Sequence, residues 1–142
     1  MSEAASEAAN KQLARRWFEE VWNQGSESAI NELFHPQGKA YGFPEPDSVL
    51  IGPEGFKDIH RQFHRAFGNI HITIDDLVAE GDRVAIRWTC SMIHNGDGLG
   101  FPATGRQTGF PGSSFIICRN GQLTDGWNFM DLTSPVLKLQ SS

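Results

Sequence analysis

The order of patterns in the sequence predicts an α+β fold, with helices gathered on one face of a curved antiparallel sheet. Up to Phe67 the apolar residues mostly recur at three- and four-residue intervals, which is helical spacing. Beyond Gly68-Asn69 the period falls to two, and Asn120-Gly121 between β-rich runs marks a tight hairpin. Helices followed by a meander leave a hollow between the two layers.

Taken in order, residues 1–9 are small and acidic and are expected to fray, so that a single domain spans 10–142. Leu13, Trp17, Phe18, Val21 and Trp22 form one apolar helix face, with Asn10 as cap and Asn23-Gln24-Gly25 as stop. Ser26 caps a second helix that runs to Phe34 and ends at His35-Pro36, giving an αα-hairpin. A short strand then holds Tyr41 and Phe43 before the turn Phe43-Pro44-Glu45-Pro46-Asp47. Pro53 suits the first position of a third helix, whose buried face is Phe56, Ile59, Phe63, Ala66 and Phe67 and whose stop is Gly68-Asn69.

Residues 70–78 and 83–93 are expected to be strands about the turn Glu80-Gly81-Asp82. The second of them alternates Val84, Ile86, Trp88, Cys90 and Met92 toward the core. Residues 95–112 are too rich in Gly and Pro for continuous strand, and the apolar tip Leu99-Gly100-Phe101-Pro102 suits a rim or lid. The hairpin follows, with strands over 114–119 and 123–132, and Ser134-Pro135 opens a last helical turn through Leu139. Alternation sets Trp127, Phe129 and Asp131 on one face of the final strand and Gly126, Asn128 and Met130 on the other.

Composition narrows the function classes. A length of 142 residues with 39% hydrophobic residues supports a core without a disulfide framework, and 11% aromatic residues are enough to line a pocket as well as fill a core. A net charge of −5, with Lys and Arg scattered, argues against nucleic acid as a partner. Cys90 and Cys118 lie in apolar runs and are expected to be buried free thiols. The acidic start lacks a signal-peptide pattern and no run reaches membrane-spanning length, so a cytoplasmic location without membrane contact is expected.

The phrases Trp17-Phe18-Glu19-Glu20-Val21-Trp22-Asn23, Gly52-Pro53-Glu54-Gly55-Phe56, Phe101-Pro102-Ala103-Thr104-Gly105-Arg106 and Gly126-Trp127-Asn128-Phe129-Met130-Asp131 resemble the SnoaL-like polyketide cyclase and ester cyclase family. That family lies within the nuclear transport factor 2-like superfamily, beside ketosteroid isomerase and limonene epoxide hydrolase. The resemblance implies a cone-shaped α+β barrel, commonly dimeric, with an apolar pocket closed by the N-terminal helices. It also implies intramolecular aldol closure without metal or organic cofactor, run by an aspartate acting with a nearby histidine. This chain has Asn128 at the position matching the aspartate and Ser114 at that matching the histidine, and asparagine does not exchange a proton near neutral pH.

The remaining candidates each carry two readings. Asp131 is either a proton shuttle raised toward neutrality by burial or a carboxylate capping the turn at Ser134. His60 and His64 share a helix face; His60 could reach the pocket as a base, whereas the pair lacks the glutamate and third ligand of a metal site. Tyr41 is either a donor at the mouth or a core residue, and Arg87 either an outer-face ion-pair partner or a substrate contact. Ser114 and Asn128 could together hold a polar ligand atom, with Trp22, Phe63, Trp88, Trp127 and Met130 as apolar walls. Three functions follow. The first is a cofactor-independent acid/base enzyme, a cyclase, isomerase or hydrolase, acting on a hydrophobic small molecule. The others are a binding protein that has lost the Asp/His pair and a structural dimerisation module; a homodimer is expected.

Overall fold

The amino-terminal helix α1 (Glu3–Arg16) passes without a break into a π-helical segment, Trp17–Asn23, and a short helix α2 (Glu27–Leu33) follows. Strands β1 (Phe34–Tyr41) and β2 (Val49–Ile51) precede α3 (Gly52–Ala66). Then come β3 (Phe67–Glu80), β4 (Arg83–His94), β5 (Gln107–Arg119), β6 (Gln122–Met130) and the terminal helix α4 (Thr133–Gln140). This computed structural model describes residues 3–97 and 99–140. Among them the strands make one six-stranded sheet in the order β2-β1-β6-β5-β4-β3, an open α+β cone. No helix among them is long and apolar enough to cross a membrane.

Sequence chemistry accounts for most of these boundaries. Ser26 caps α2 by accepting the Ala29 N–H at 3.2 Å, and Pro53 sits in the first turn of α3. Asn120 and Gly121 both have positive φ, 54° and 78°, the pair of left-handed residues that a two-residue hairpin turn requires. On β4 the residues from Val84 to Met92 alternate as expected, with Val84, Ile86, Trp88, Cys90 and Met92 buried. Cys90 and Cys118 are free and buried, and burial pushes both thiols up to about 12.

The structure departs from expectation in several places, among them the start of β3 at Phe67 and the end of β1 at Tyr41, before Phe43. Helix α1 begins at Glu3 rather than at Asn10, because Glu7 and Asn10 clamp the β3–β4 turn. The Gly81 N–H donates to Glu7 Oε2 at 2.8 Å, and Asn10 Nδ2 donates to the Gly81 carbonyl at 3.1 Å. Met1 and Ser2, within the expected tail, lie outside the described residues. Strand β5 begins at Gln107, despite Gly109, Pro111 and Gly112, because β4 supplies a full antiparallel partner from Arg83 to Ile93. The sheet is not a pure meander: β1 pairs with β6 in parallel, across most of the chain. Last, Asp131 lies beyond the end of β6.

The core sits between the concave face and the first helices. Trp17, Phe18, Val21 and Trp22 of the π-helical segment are all buried, as are Phe56 of α3 and Ile70 and Ile72 of β3. Each such side chain contributes about 1.5–3 kcal/mol by leaving water.

Candidate functional site

The hairpin register builds the site. It places Ser114 of β5 directly opposite Asn128 of β6, both on the concave face. Ser114 Oγ donates to Asn128 Oδ1 at 2.8 Å, and Asn128 Nδ2 donates to the Tyr41 carbonyl of the parallel neighbour β1 at 3.0 Å. Trp88 Nε1 donates to Ser114 Oγ at 3.1 Å. The indole reaches that oxygen because it lies across Gly112, where an added Cβ would come within 2.4 Å of the ring. The result is a neutral chain of hydrogen bonds, Trp88 to Ser114 to Asn128 to Tyr41 carbonyl, with no proton-exchanging group in it.

Around Asn128 lies an apolar chamber of about 70 Å³. The π-helical segment supplies Trp17, Phe18 and Trp22, α3 supplies Phe56 and Phe63, and Phe43 enters from the loop after β1. The sheet supplies Trp88, Met92, Phe110 and Met130 among others. Aromatic edges lock the helical side: Trp22 stands edge-on to Phe43 at 5.6 Å and to Phe56 at 5.8 Å, and Phe43 packs on Phe63 at 5.3 Å. Cys90 also lines the chamber, and its elevated pKa keeps it a thiol.

Of the residues singled out in the sequence, Trp22, Phe63, Trp88, Asn128 and Met130 line this chamber, and Ser114 lies buried behind Asn128. The others lie elsewhere. Asp131 is exposed and caps α4, accepting from the Thr133 and Ser134 N–H groups at 2.9 and 3.2 Å and from Ser134 Oγ at 2.6 Å. Those bonds to Ser134 and Thr133 hold its carboxyl below the usual range, the opposite of a shuttle raised by burial. Tyr41 and Trp127 face each other in the β1–β6 register and stack at 5.3 Å, away from the chamber. Strand alternation requires this: with Asn128 inward, its neighbour Trp127 points outward.

His60 is buried but lies outside the chamber lining, in a cleft that it shares with His64 and Trp22. Its Nε2 is 2.6 Å from the Val21 carbonyl, so the neutral ring donates there and steadies the π-helical segment. Burial lowers the pKa of both rings, which lie 4.3 Å apart. Among the described residues no third His, Cys, Asp or Glu completes a metal-binding group with them. Arg87 is exposed on the outer face, with Nη1 4.0 Å from Asp75 Oδ2.

Sequence reasoning missed Lys39 and Asp125, the charged residues that line the chamber among those described. They are opposite each other in the β1–β6 register. Pairing is in register from Asp125 to Met130 and from Lys39 to Tyr41, so the two share strand parity with the outward Trp127 and Tyr41 and border the chamber at its edge. The parallel pairing of β1 with β6 that brings them together leaves no mark in local sequence.

Solved structures share this architecture. A provisionally named SnoaL-like polyketide cyclase from a Jannaschia species matches with a TM-score of 0.87 at 19% identity, covering 100% of this chain and 99% of its own. TsrD from Streptomyces laurentii matches with a TM-score of 0.77 at 28% identity, covering 93% and 94%. A Catenulispora acidiphila protein with a ketosteroid isomerase-like fold, solved with trimethylamine, matches with a TM-score of 0.74 at 17% identity, covering 92% and 94%. A comparison with curated proteins gives no match. The family model for SnoaL-like polyketide cyclase matches residues 12–138, a span that includes every wall of the chamber, and the chain belongs to that family.

Proposed function

We propose that the protein binds a small, mainly apolar molecule bearing one carbonyl or hydroxyl group, which it holds against Asn128 without acid/base chemistry at that position. The observation that carries this reading is the neutral chain from Trp88 through Ser114 to Asn128. It spends one Asn128 N–H on the Tyr41 carbonyl, leaving a second N–H to offer a guest. The aromatic walls supply the affinity and the amide the orientation. Titration with butanone, followed by tryptophan fluorescence, tests it. Binding that weakens about tenfold in Asn128→Leu supports the reading, since one hydrogen bond is worth about that factor. Equal binding in the variant, or none in the parent, overturns it.

A catalytic reading is favoured by one observation, the half-buried Asp125 beside the chamber and opposite Lys39. In that case the protein is a cofactor-independent cyclase, isomerase or hydrolase on a hydrophobic substrate, with Asp125 as the proton-exchanging group. Product formation that disappears in Asp125→Asn distinguishes it from simple binding.

The partner we propose is a second copy of the chain. Phe115 and Phe129 are 53% and 57% exposed on the outer face of the sheet, beside the stacked Tyr41 and Trp127. For copies that each carry a charge of −5, an uncharged aromatic patch is the surface on which self-association meets least repulsion.

A further inference from the structure

We propose that the groove beneath α4 is the second half of the ligand site, so that the guest is an elongated molecule with its polar end at Asn128 and an unbranched apolar tail running under α4. This rests on the binding reading above and adds the ligand's shape. The chamber alone, at about 70 Å³, takes only a small group, whereas the groove offers about 400 Å³. The two are adjacent on several sides. Phe63 and Met92 line both, and they are the partition between them. On either side, Phe43 and Met130 of the chamber are followed along the chain by Pro44 and Leu132 of the groove.

The groove is mainly apolar: Ile59 of α3, Val136 and Leu139 of α4 and Leu99 of the loop after β4 line it, with Glu45, Gln62, Thr108 and Thr133 as its polar members. Leu99 thereby takes the rim position that the apolar tip of that loop suggested. Helix α4 is attached at its start through the Asp131 cap and near its end by Arg106 Nη1, which donates to the Lys138 carbonyl at 3.0 Å. A side-chain movement at Met92, which is unbranched and adaptable, joins the two spaces without breaking either attachment.

Methyl ketones of increasing length, from butanone to decan-2-one, test this by calorimetric titration of the full chain. The expected result is a Kd that falls about fourfold per added methylene along the series. Val136→Trp, which fills the groove from the α4 side, should abolish that gain for decan-2-one while leaving butanone binding unchanged. Ile59→Trp should do the same from the α3 side, with butanone binding and the melting temperature as the control for folding in each variant. Affinity that stops rising at the short ketones overturns the proposal, as does decan-2-one binding that is unchanged in both variants. If butanone binds and depends on Asn128 but length has no effect, only the groove is refuted. If no ketone binds, the chamber reading falls with it.

Discussion

Asn128 accepts from Ser114 and donates to the Tyr41 carbonyl, so a carboxylate in its place would set one acceptor against another. Asn128→Asp is therefore expected to cost about 1–3 kcal/mol at neutral pH. The introduced carboxyl would have a raised pKa in the fold, so the deficit should shrink as pH falls and the group protonates, and grow as pH rises. Denaturant unfolding across that range measures both. Gly112→Ala should drive the Trp88 indole off Ser114, at about 1–3 kcal/mol for overpacking, and weaken ketone binding together with stability. At this scale the inward set Asn128 and Met130 was legible from strand alternation, whereas Trp127, expected as a wall, takes the outward face to which the same alternation assigns it. Asp131 was not decided by sequence, because a strand that ends one residue earlier turns a pocket carboxylate into a helix cap.

Among the elements, α3 and the Asn120-Gly121 hairpin were legible, since a Pro near an N-terminus and two left-handed turn residues act locally. The start of α1 was not, because Glu7 and Asn10 meet Gly81 only after the chain has folded. The π-helical segment was hidden for a similar reason: His60 of α3 takes up the Val21 carbonyl. That contact makes a pH prediction. His60 and His64 have pKa values lowered by burial, with Arg61 and Arg65 in the same cleft and Glu27 as its carboxylate. The unfolded chain binds protons at these rings from about pH 6.5 downward while the folded chain resists, so stability should fall as pH drops below that value. His60→Gln, which keeps a donor for Val21, should remove about half of that acid slope in thermal melts. Asp131→Ala should speed amide exchange at Thr133 and Ser134 without altering exchange in β6.

For the whole molecule, the fold class followed from the change of period, whereas the strand order did not. Phe115→Asp on the outer face should convert the proposed dimer to monomers in sedimentation and leave butanone binding in place. The parallel contact between β1 and β6 also bears on how the protein is made. Strand β1 meets β2 locally, but the β1–β2 pair joins the rest of the sheet only through β6, so β6 must have left the ribosome before that pair can dock. Until then Trp17 and Trp22, buried in the finished fold, lack the part of their floor that β6 and β1 supply, which leaves apolar surface open to water during synthesis.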